Sequence, residues 1–327
     1  MIELSQTAVV SIPLQVPFRG IVHREALLLE GPCGWGEFAP FLEYDDPESA
    51  RWLAAALEAA HTGWPAAVRD RVPVNATVPA VAATEVEAVL RRFPGCTTAK
   101  VKVAQAGQSL AEDLDRVAAV RAVLGASGRV RVDANGGWSL PDATRALASL
   151  SSYDLEYAEQ PCASVEDLAA LRLSLARAGV DVLIAADESV RKAEDPLRVA
   201  RLGAADIVVL KVAPLGGVAA ALDIALECGL PVVVSSALDT SVGIAAGVAL
   251  AAALPDLPFA CGLATASLLA GDVAAPSLDG HGGWVPVGAA EVSPSLLERF
   301  AAPAERRAWW QARATRCAAL LEQRRQD

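Results

Sequence analysis

The chain is short of lysine: of its 28 basic residues only four, at positions 100, 102, 192 and 211, are lysines, so arginine is its ordinary cation. No cluster of Lys and Arg is interleaved with aromatics. With a net charge of −11, this excludes a nucleic-acid footprint and a basic membrane-binding helix. Cys-x-x-Cys is also missing. The six cysteines at 33, 96, 162, 228, 261 and 317 are scattered, which argues against a zinc ribbon, a redox motif or a disulfide framework and leaves them as small buried hydrophobes. Although 53% of residues are hydrophobic, alanine supplies much of that share, and Gly, Pro or charge breaks each apolar run well short of a bilayer span. No membrane insertion is expected. Met1-Ile2-Glu3-Leu4 does not begin a basic and apolar leader, so a cytoplasmic protein is expected.

From about residue 72, short β-branched runs alternate with alanine-rich helical stretches, the pattern of a parallel α/β fold. Eight strand candidates follow one another: 72–78, 98–103, 130–135, 155–161, 183–189, 206–213, 231–238 and 259–265. Between them Leu114, Val117, Ala118 and Leu124 share one helical face, and Ser139 with Asp142 and Ser164 with Asp167 form N-terminal capping pairs. Eight strands with intervening helices predict a (β/α)8 TIM barrel. An open doubly wound sheet is the alternative, but neither G-x-G-x-x-G nor a P-loop is present to favour it. Residues 1–71 read differently, as an α+β segment with a strand at 26–30, a Gly/Pro-rich loop and a helix from Pro47. The tail at 285–327, with Trp309, Trp310, Leu320 and Leu321 in an Arg-rich helical pattern, is expected to pack back on it. The prediction is a barrel at 72–284 with an α+β capping domain built from both termini.

In such a barrel the reactive groups sit at the C-terminal ends of the strands. Here those ends carry Lys100 and Lys102, then Asp133 and Asn135, then Glu159, then Asp187 and Glu188, then Lys211. Period-two alternation places Lys100 and Lys102 on one strand face, and Arg131, Asp133 and Asn135 on another. Three carboxylates on consecutive strands would repel one another in a low-dielectric mouth, and a hard dication is the usual remedy. The oxygen-only donor set favours Mg²⁺ or Mn²⁺ over zinc, since His23, His61 and His281 end no candidate strand. Any one Asp after a strand is more often a helix cap than a ligand; three carboxylates in register with lysines on both sides reverse that reading. In a chain that uses arginine for ordinary ion pairing, lysine at these ends suits proton abstraction, because a lysine can be deprotonated and an arginine cannot. The bland alternative is that Lys100 and Lys102 only neutralise carboxylates.

Taken together, these residues resemble the enolase superfamily and its muconate-lactonizing subgroup. Lys100-Val101-Lys102 matches the K-x-K element, and Asp133, Glu159, Asp187 and Lys211 follow at intervals of 31, 26, 28 and 24 residues. The resemblance spans roughly residues 20 to 285. It implies a modified barrel of the enolase type, a metal held by Asp133, Glu159 and Asp187, and a small-molecule carboxylate substrate. It further implies that Lys102 abstracts the α-proton while Lys211 stays protonated opposite it. Lys100 and Arg131 would tune Lys102, Asn135 would orient a ligand, and Ser235, Ser236 and Gly262 would line the substrate pocket. Arg131-Val132-Asp133-Ala134-Asn135, Ala158-Glu159-Gln160-Pro161 and Ser235-Ser236-Ala237-Leu238 are most similar to the subgroup's dehydratases, and Gly34-Trp35-Gly36-Glu37-Phe38-Ala39-Pro40 to their strand leading into the capping loop. The alternatives are a racemase or a cycloisomerase on the same scaffold, and a catalytically silent barrel. The Asp-x-Asp that dipeptide epimerases carry after the eighth strand is replaced by Gly262-Leu263-Ala264-Thr265. That disfavours an amine substrate.

Overall fold

The computed structural model describes residues 6–18, 20–191 and 195–324; Met1 to Leu4 and Lys192 lie outside them. The amino-terminal part is a three-stranded antiparallel sheet of β1 (Thr7–Phe18), β2 (Ile21–Gly31) and β3 (Gly34–Phe38), covered by α1 (Asp46–His61). α1 starts where sequence chemistry places it, with the Asp45 carboxylate accepting from Glu48 N and Pro47 in the first turn. The glycines of the 31–36 hairpin let α1 lie close on the sheet: a Cβ at Gly36 would stand 2.0 Å from Ala56 O. At the other end of the chain, α11 (Pro294–Arg299) leads into α12 (Ala304–Arg324), which packs on this sheet as expected. Trp310 is buried edge-on to Phe38 at 5.8 Å, and its indole N–H donates to Glu25 at 2.8 Å. Burying such a side chain contributes roughly 2–3 kcal/mol, enough to tie the two termini into one core.

The barrel begins with β4 (Arg71–Pro73), paired antiparallel with β12 (Trp284–Pro286), and continues through seven parallel strands. These are β5 (Ala76–Val78), β6 (Thr98–Lys102), β7 (Arg129–Asp133), β8 (Leu155–Glu159), β9 (Ile184–Ala186), β10 (Ile207–Leu210) and β11 (Val232–Val234). Helices α2 (Val86–Leu90), α3 (Leu110–Leu124), α4 (Leu140–Leu150), α5 (Val165–Ala178), α6 (Glu188–Arg191), α7 (Arg198–Arg201), α8 (Val212–Leu215), α9 (Val218–Cys228) and α10 (Ser241–Ala253) fill the connections. Every residue of β5, β9, β10 and β11 is buried, as parallel strands covered on both faces require.

Several expected boundaries shift. The 72–78 strand divides at Val74 and Asn75, whose amides bond to Gly283 O and Cys261 O. The 259–265 strand is reduced to single bridges, Cys261 to Val74 and Gly262 to Ser235, which still join both edges of the sheet. No residue from Phe259 to Ala264 is β-branched, so nothing there favours a longer ladder. The buried face of α3 runs through Asp113, Arg116, Val117 and Val120, so Val117 is the one buried residue of the four expected there. Asp113 and Arg116 are paired at 2.8 Å, and Arg116 also donates to the carbonyls of Val81 and Lys102. Both predicted capping pairs are present, Ser139 accepting from Asp142 N and Ser164 from Asp167 N.

Two carboxylates of the amino-terminal part cap barrel helices. Glu58 of α1 accepts from Val218 N and Ala219 N at the start of α9. Glu37 of β3 accepts from Thr240 N and Oγ1 and from Gly243 N at the start of α10. These helices' own first residues leave those amides without a side-chain acceptor, so the capping segment completes the barrel as well as covering it.

Candidate active site

Each charged residue expected at a strand end stands at that end or just past it. Lys102 and Asp133 are adjacent on β6 and β7, and Asp133 and Glu159 on β7 and β8. Asp187 follows β9 directly and Lys211 follows β10. The turns after β7 and β8 are strained: Asn135 and Gln160 hold φ of +47° and +39°, a region that side-chain-bearing residues rarely enter. The Gln160 side chain and the Asn135 main chain secure those turns. Gln160 Oε1 accepts from Asp187 N and Ser189 N, and the Asn135 amide donates to Asp133 Oδ1 at 3.0 Å.

The charges are matched pairwise. Lys102 Nζ donates to Asp133 Oδ2 at 2.5 Å and to Asn135 Oδ1 at 2.6 Å, while Lys100 Nζ donates to both Glu159 oxygens at 2.8 and 3.0 Å and stands 3.2 Å from Asp133. Lys211 Nζ donates to Asp187 Oδ2 at 2.6 Å. Asp133, Glu159 and Asp187 are all buried. Burial pushes Lys102 below the ordinary lysine range, and repulsion by Lys100 adds to this against the pull of Asp133. Lys100 is also penalised by burial, but attraction to Glu159 and Asp133 outweighs it and holds that amine well above the range. Two similar side chains two residues apart are thus driven in opposite directions. Burial and the neighbouring Asp133 raise Glu159 to about 7, whereas Asp133 and Asp187 are held low against burial by Lys102 and Lys100 and by Arg191 and Lys211 respectively.

Arg191 is the charged member that sequence reasoning missed. It donates to Asp187 Oδ1 at 2.9 Å, to Glu188 at 2.5 Å and to the Tyr44 hydroxyl at 3.2 Å. Its spacing of four residues from Asp187, along a helix start, was the available signal. Arg131 corrects an expectation in the other direction. Its alternation does turn it into the barrel, but two residues before Asp133 means one layer lower, roughly 6–7 Å along the strand. There it donates to Glu156, Asn75 and Ala260 O, with its guanidinium 4.7 Å from the Tyr157 ring and 5.8 Å from that of Phe259. It plugs the barrel interior instead of tuning Lys102.

A cleft that opens to solvent lies above these residues. Lys100, Lys102, Asn135 and Lys211 reach it from the barrel's charged strands, Ser235, Ser236 and Leu238 from the turn after β11, and Phe41, Tyr44 and Trp52 from the capping segment. β6 and β10 lie four positions apart in an eight-member ring, so Lys102 and Lys211 approach the cleft from opposite sides. Ser235 and Ser236 line it as expected. Gly262 does not: its amide donates to Val234 O, its carbonyl accepts from Ser236 Oγ at 2.8 Å, and a Cβ there would come within 2.5 Å of Ser235 Oγ. Glycine at 262 is needed for barrel closure. Thr77 and Thr265 also line the cleft, and no pattern in the sequence distinguishes them from other threonines.

The chain is 59% identical to o-succinylbenzoate synthase of Mycolicibacterium smegmatis, over 97% of each chain. It belongs to the o-succinylbenzoate synthase family. The corresponding proteins of Mycobacterium tuberculosis and Mycobacterium leprae are 55% and 54% identical to it, over 97% of this chain and 95% and 93% of theirs. Residues 9–60 match the family described as enolase N-terminal domain-like, and residues 81–291 the one described as enolase C-terminal domain-like. Among solved structures, a muconate lactonizing enzyme from Pseudomonas fluorescens complexed with muconolactone is similar at a TM-score of 0.76, with 22% identity over 91% of this chain and 98% of that one. A dipeptide epimerase from Enterococcus faecalis, complexed with Mg and a dipeptide, gives 0.74 with 22% identity over 88% and 97%. At those identities the two structures establish the enolase-type fold, which agrees with the family assignment. No helix among the described residues is long and apolar enough to cross a membrane.

As an ion site, the mouth has the right donors. Three buried carboxylates on neighbouring strand ends offer oxygen only, and one of them, Glu159, has its acidity weakened to about 7 by burial and by Asp133. That is the chemistry a hard divalent cation relieves. In this structure lysine and arginine neutralise the carboxylates, and no three His, Cys, Asp or Glu among the described residues are placed to share an ion.

Proposed function

We propose that the protein acts as an o-succinylbenzoate synthase of menaquinone biosynthesis, removing water from 2-succinyl-6-hydroxy-2,4-cyclohexadiene-1-carboxylate to give 2-succinylbenzoate. The observation that carries this reading is Lys102, held at the cleft between Asp133 and Asn135 in a chain 59% identical to a synthase over nearly its whole length. Its amine takes the proton α to the ring carboxylate as the C–H bond breaks. The resulting ammonium then returns that proton to the departing hydroxyl on the same face, so that the C–O bond breaks, water leaves and the ring becomes aromatic. Asn135, bonded to Lys102 and Glu188, keeps the amine aimed at the cleft. Lys211 remains an ammonium on the opposite side and balances the negative charge that develops on the substrate. A divalent ion, Mg²⁺ with Mn²⁺ as its substitute, is assigned to Asp133, Glu159 and Asp187, where it would supply Lewis-acid stabilisation of the substrate carboxylate. Lys100, bound to Glu159 and Asp133, keeps that carboxylate pair balanced.

Racemisation of N-succinylamino acids is the second reading, favoured by two lysines reaching one cleft from opposite sides. Purified protein incubated with the cyclohexadiene carboxylate, with and without EDTA, separates the two when followed by N-succinylamino acids in D₂O. Chelator-sensitive aromatisation is the expected result. Deuterium exchange with no aromatisation would sink the synthase reading.

A further inference from the structure

Arg24 lies outside the cleft, on β2 of the capping segment, and is only 3% exposed. Its contacts cross from one segment to the other. Nε donates to Leu238 O at 3.0 Å and Nη2 to Ala39 O at 2.5 Å; the guanidinium carbon stands 4.7 Å from the Phe41 ring centroid, and Nη2 is 3.9 Å from Asp239 Oδ1. Phe41 and Leu238 both line the cleft. Ala39 opens the stretch that carries Phe41 and Tyr44, and Asp239 accepts from Ala237 N at 3.0 Å, closing the turn that carries Ser235 and Ser236. That turn is strained at the residue Arg24 holds: Leu238 has φ +65°, a conformation branched side chains avoid. A planar guanidinium can bond two carbonyls in fixed directions while stacking on a ring, and a lysine ammonium cannot.

We propose that Arg24 is a positioning residue for substrate specificity. It clasps residues 39–44 of the capping segment to the 235–239 turn of the barrel, and so fixes the spacing of the two neutral walls that hold the substrate's non-reacting substituent. Arg24 touches no reacting atom. The inference rests on the synthase reading of the cleft.

The test compares the full-length protein with Arg24→Lys and Arg24→Met, measuring kcat and KM for aromatisation, Kd for 2-succinylbenzoate by calorimetry, and Tm. Arg24→Met is expected to raise KM and Kd about tenfold while kcat stays within about threefold, and Arg24→Lys to give a smaller rise of the same kind. An Arg24 that merely supported the fold would lower Tm and leave KM and Kd at wild-type values, and that result overturns the clasp. So does a fall in kcat at constant KM and Kd. Arg24→Lys, which keeps the buried charge, decides by the same criteria should Arg24→Met not fold. A wild-type protein that fails to aromatise the substrate defeats the synthase reading alone, because Kd for the dicarboxylate still reports on the clasp.

Discussion

Strands β6 to β10 end in Lys100, Lys102, Asp133, Glu159, Asp187 and Lys211, whereas β11, the closing segment and β5 offer Ser235, Ser236, Thr265 and Thr77 to the same cleft. The two arcs are held in place differently. The charged arc is fixed by its own ion pairs, each carboxylate on an ammonium or guanidinium within 3.2 Å. The neutral arc is fixed from outside, by Arg24 on Leu238 O and by Glu37 on the amides of Thr240 and Gly243. The charged side of the cleft is therefore held within the barrel, whereas its neutral side also leans on the capping segment.

The largest break in that contrast should come from the charged arc. Lys102→Ala is expected to lower kcat for aromatisation about 10²- to 10⁴-fold, the range of a lost general base, with the protein still folded by circular dichroism; near-wild-type turnover would remove Lys102 from the reaction. Arg131→Met tests whether every inward charge belongs to that arc. It should cost about 3 kcal/mol in urea unfolding, because Glu156 loses its buried partner, yet change kcat per folded molecule only a few-fold. A selective loss of kcat would return Arg131 to the reaction centre.

Glu37 gives a pH signature on the neutral side. Burial, with the adjacent Asp239, raises its carboxyl from the ordinary 4.5 to about 8, so the folded protein keeps a proton there that the unfolded chain has released. The stability this contributes is full below pH 4.5 and is lost progressively as pH rises to about 8. Glu37→Gln should flatten that decline in denaturation midpoints measured across the window; an unchanged slope would assign it to other groups. The smallest effect belongs to Ser236→Ala, which removes hydroxyl bonds to Gly262 O and Thr265. The expected loss is about 1 kcal/mol of folding stability, read as a lower urea midpoint, with kcat and KM little changed in steady-state assays.

The same contrast explains what was legible in the sequence. Buried charge is expensive unless it is paired or functional, so lysines and acids at successive strand ends stood out, and their order along the chain fixed both the fold class and the positions of the charged arc. Arg191 was missed because it lies one helical turn past Asp187, beyond the strand end that drew attention. Arg131 was misplaced because alternation gives the face of a strand but not the height along the barrel axis. The neutral arc left weaker traces. Serine and threonine cost little anywhere, and Gly262 reads as pocket or closure until Ser235 Oγ is seen against the place its Cβ would fill. Leu238 and Arg24, 214 positions apart in the chain, carry no mutual pattern at all.

Glu37 and Glu58 have a consequence for exchanging parts between relatives. Grafting a foreign capping segment onto this barrel without acidic residues at both positions would strip the acceptor from Val218 N and Ala219 N at the start of α9 and from Thr240 N and Gly243 N at the start of α10, where Asp272 and Thr240 would still hold the amides of Ser241 and Val242. The inheritable unit is then the strand-and-helix pair that carries the two acids together with the two helix starts that receive them. A capping segment, if it is to be moved from one scaffold to another, has to travel with that four-part joint.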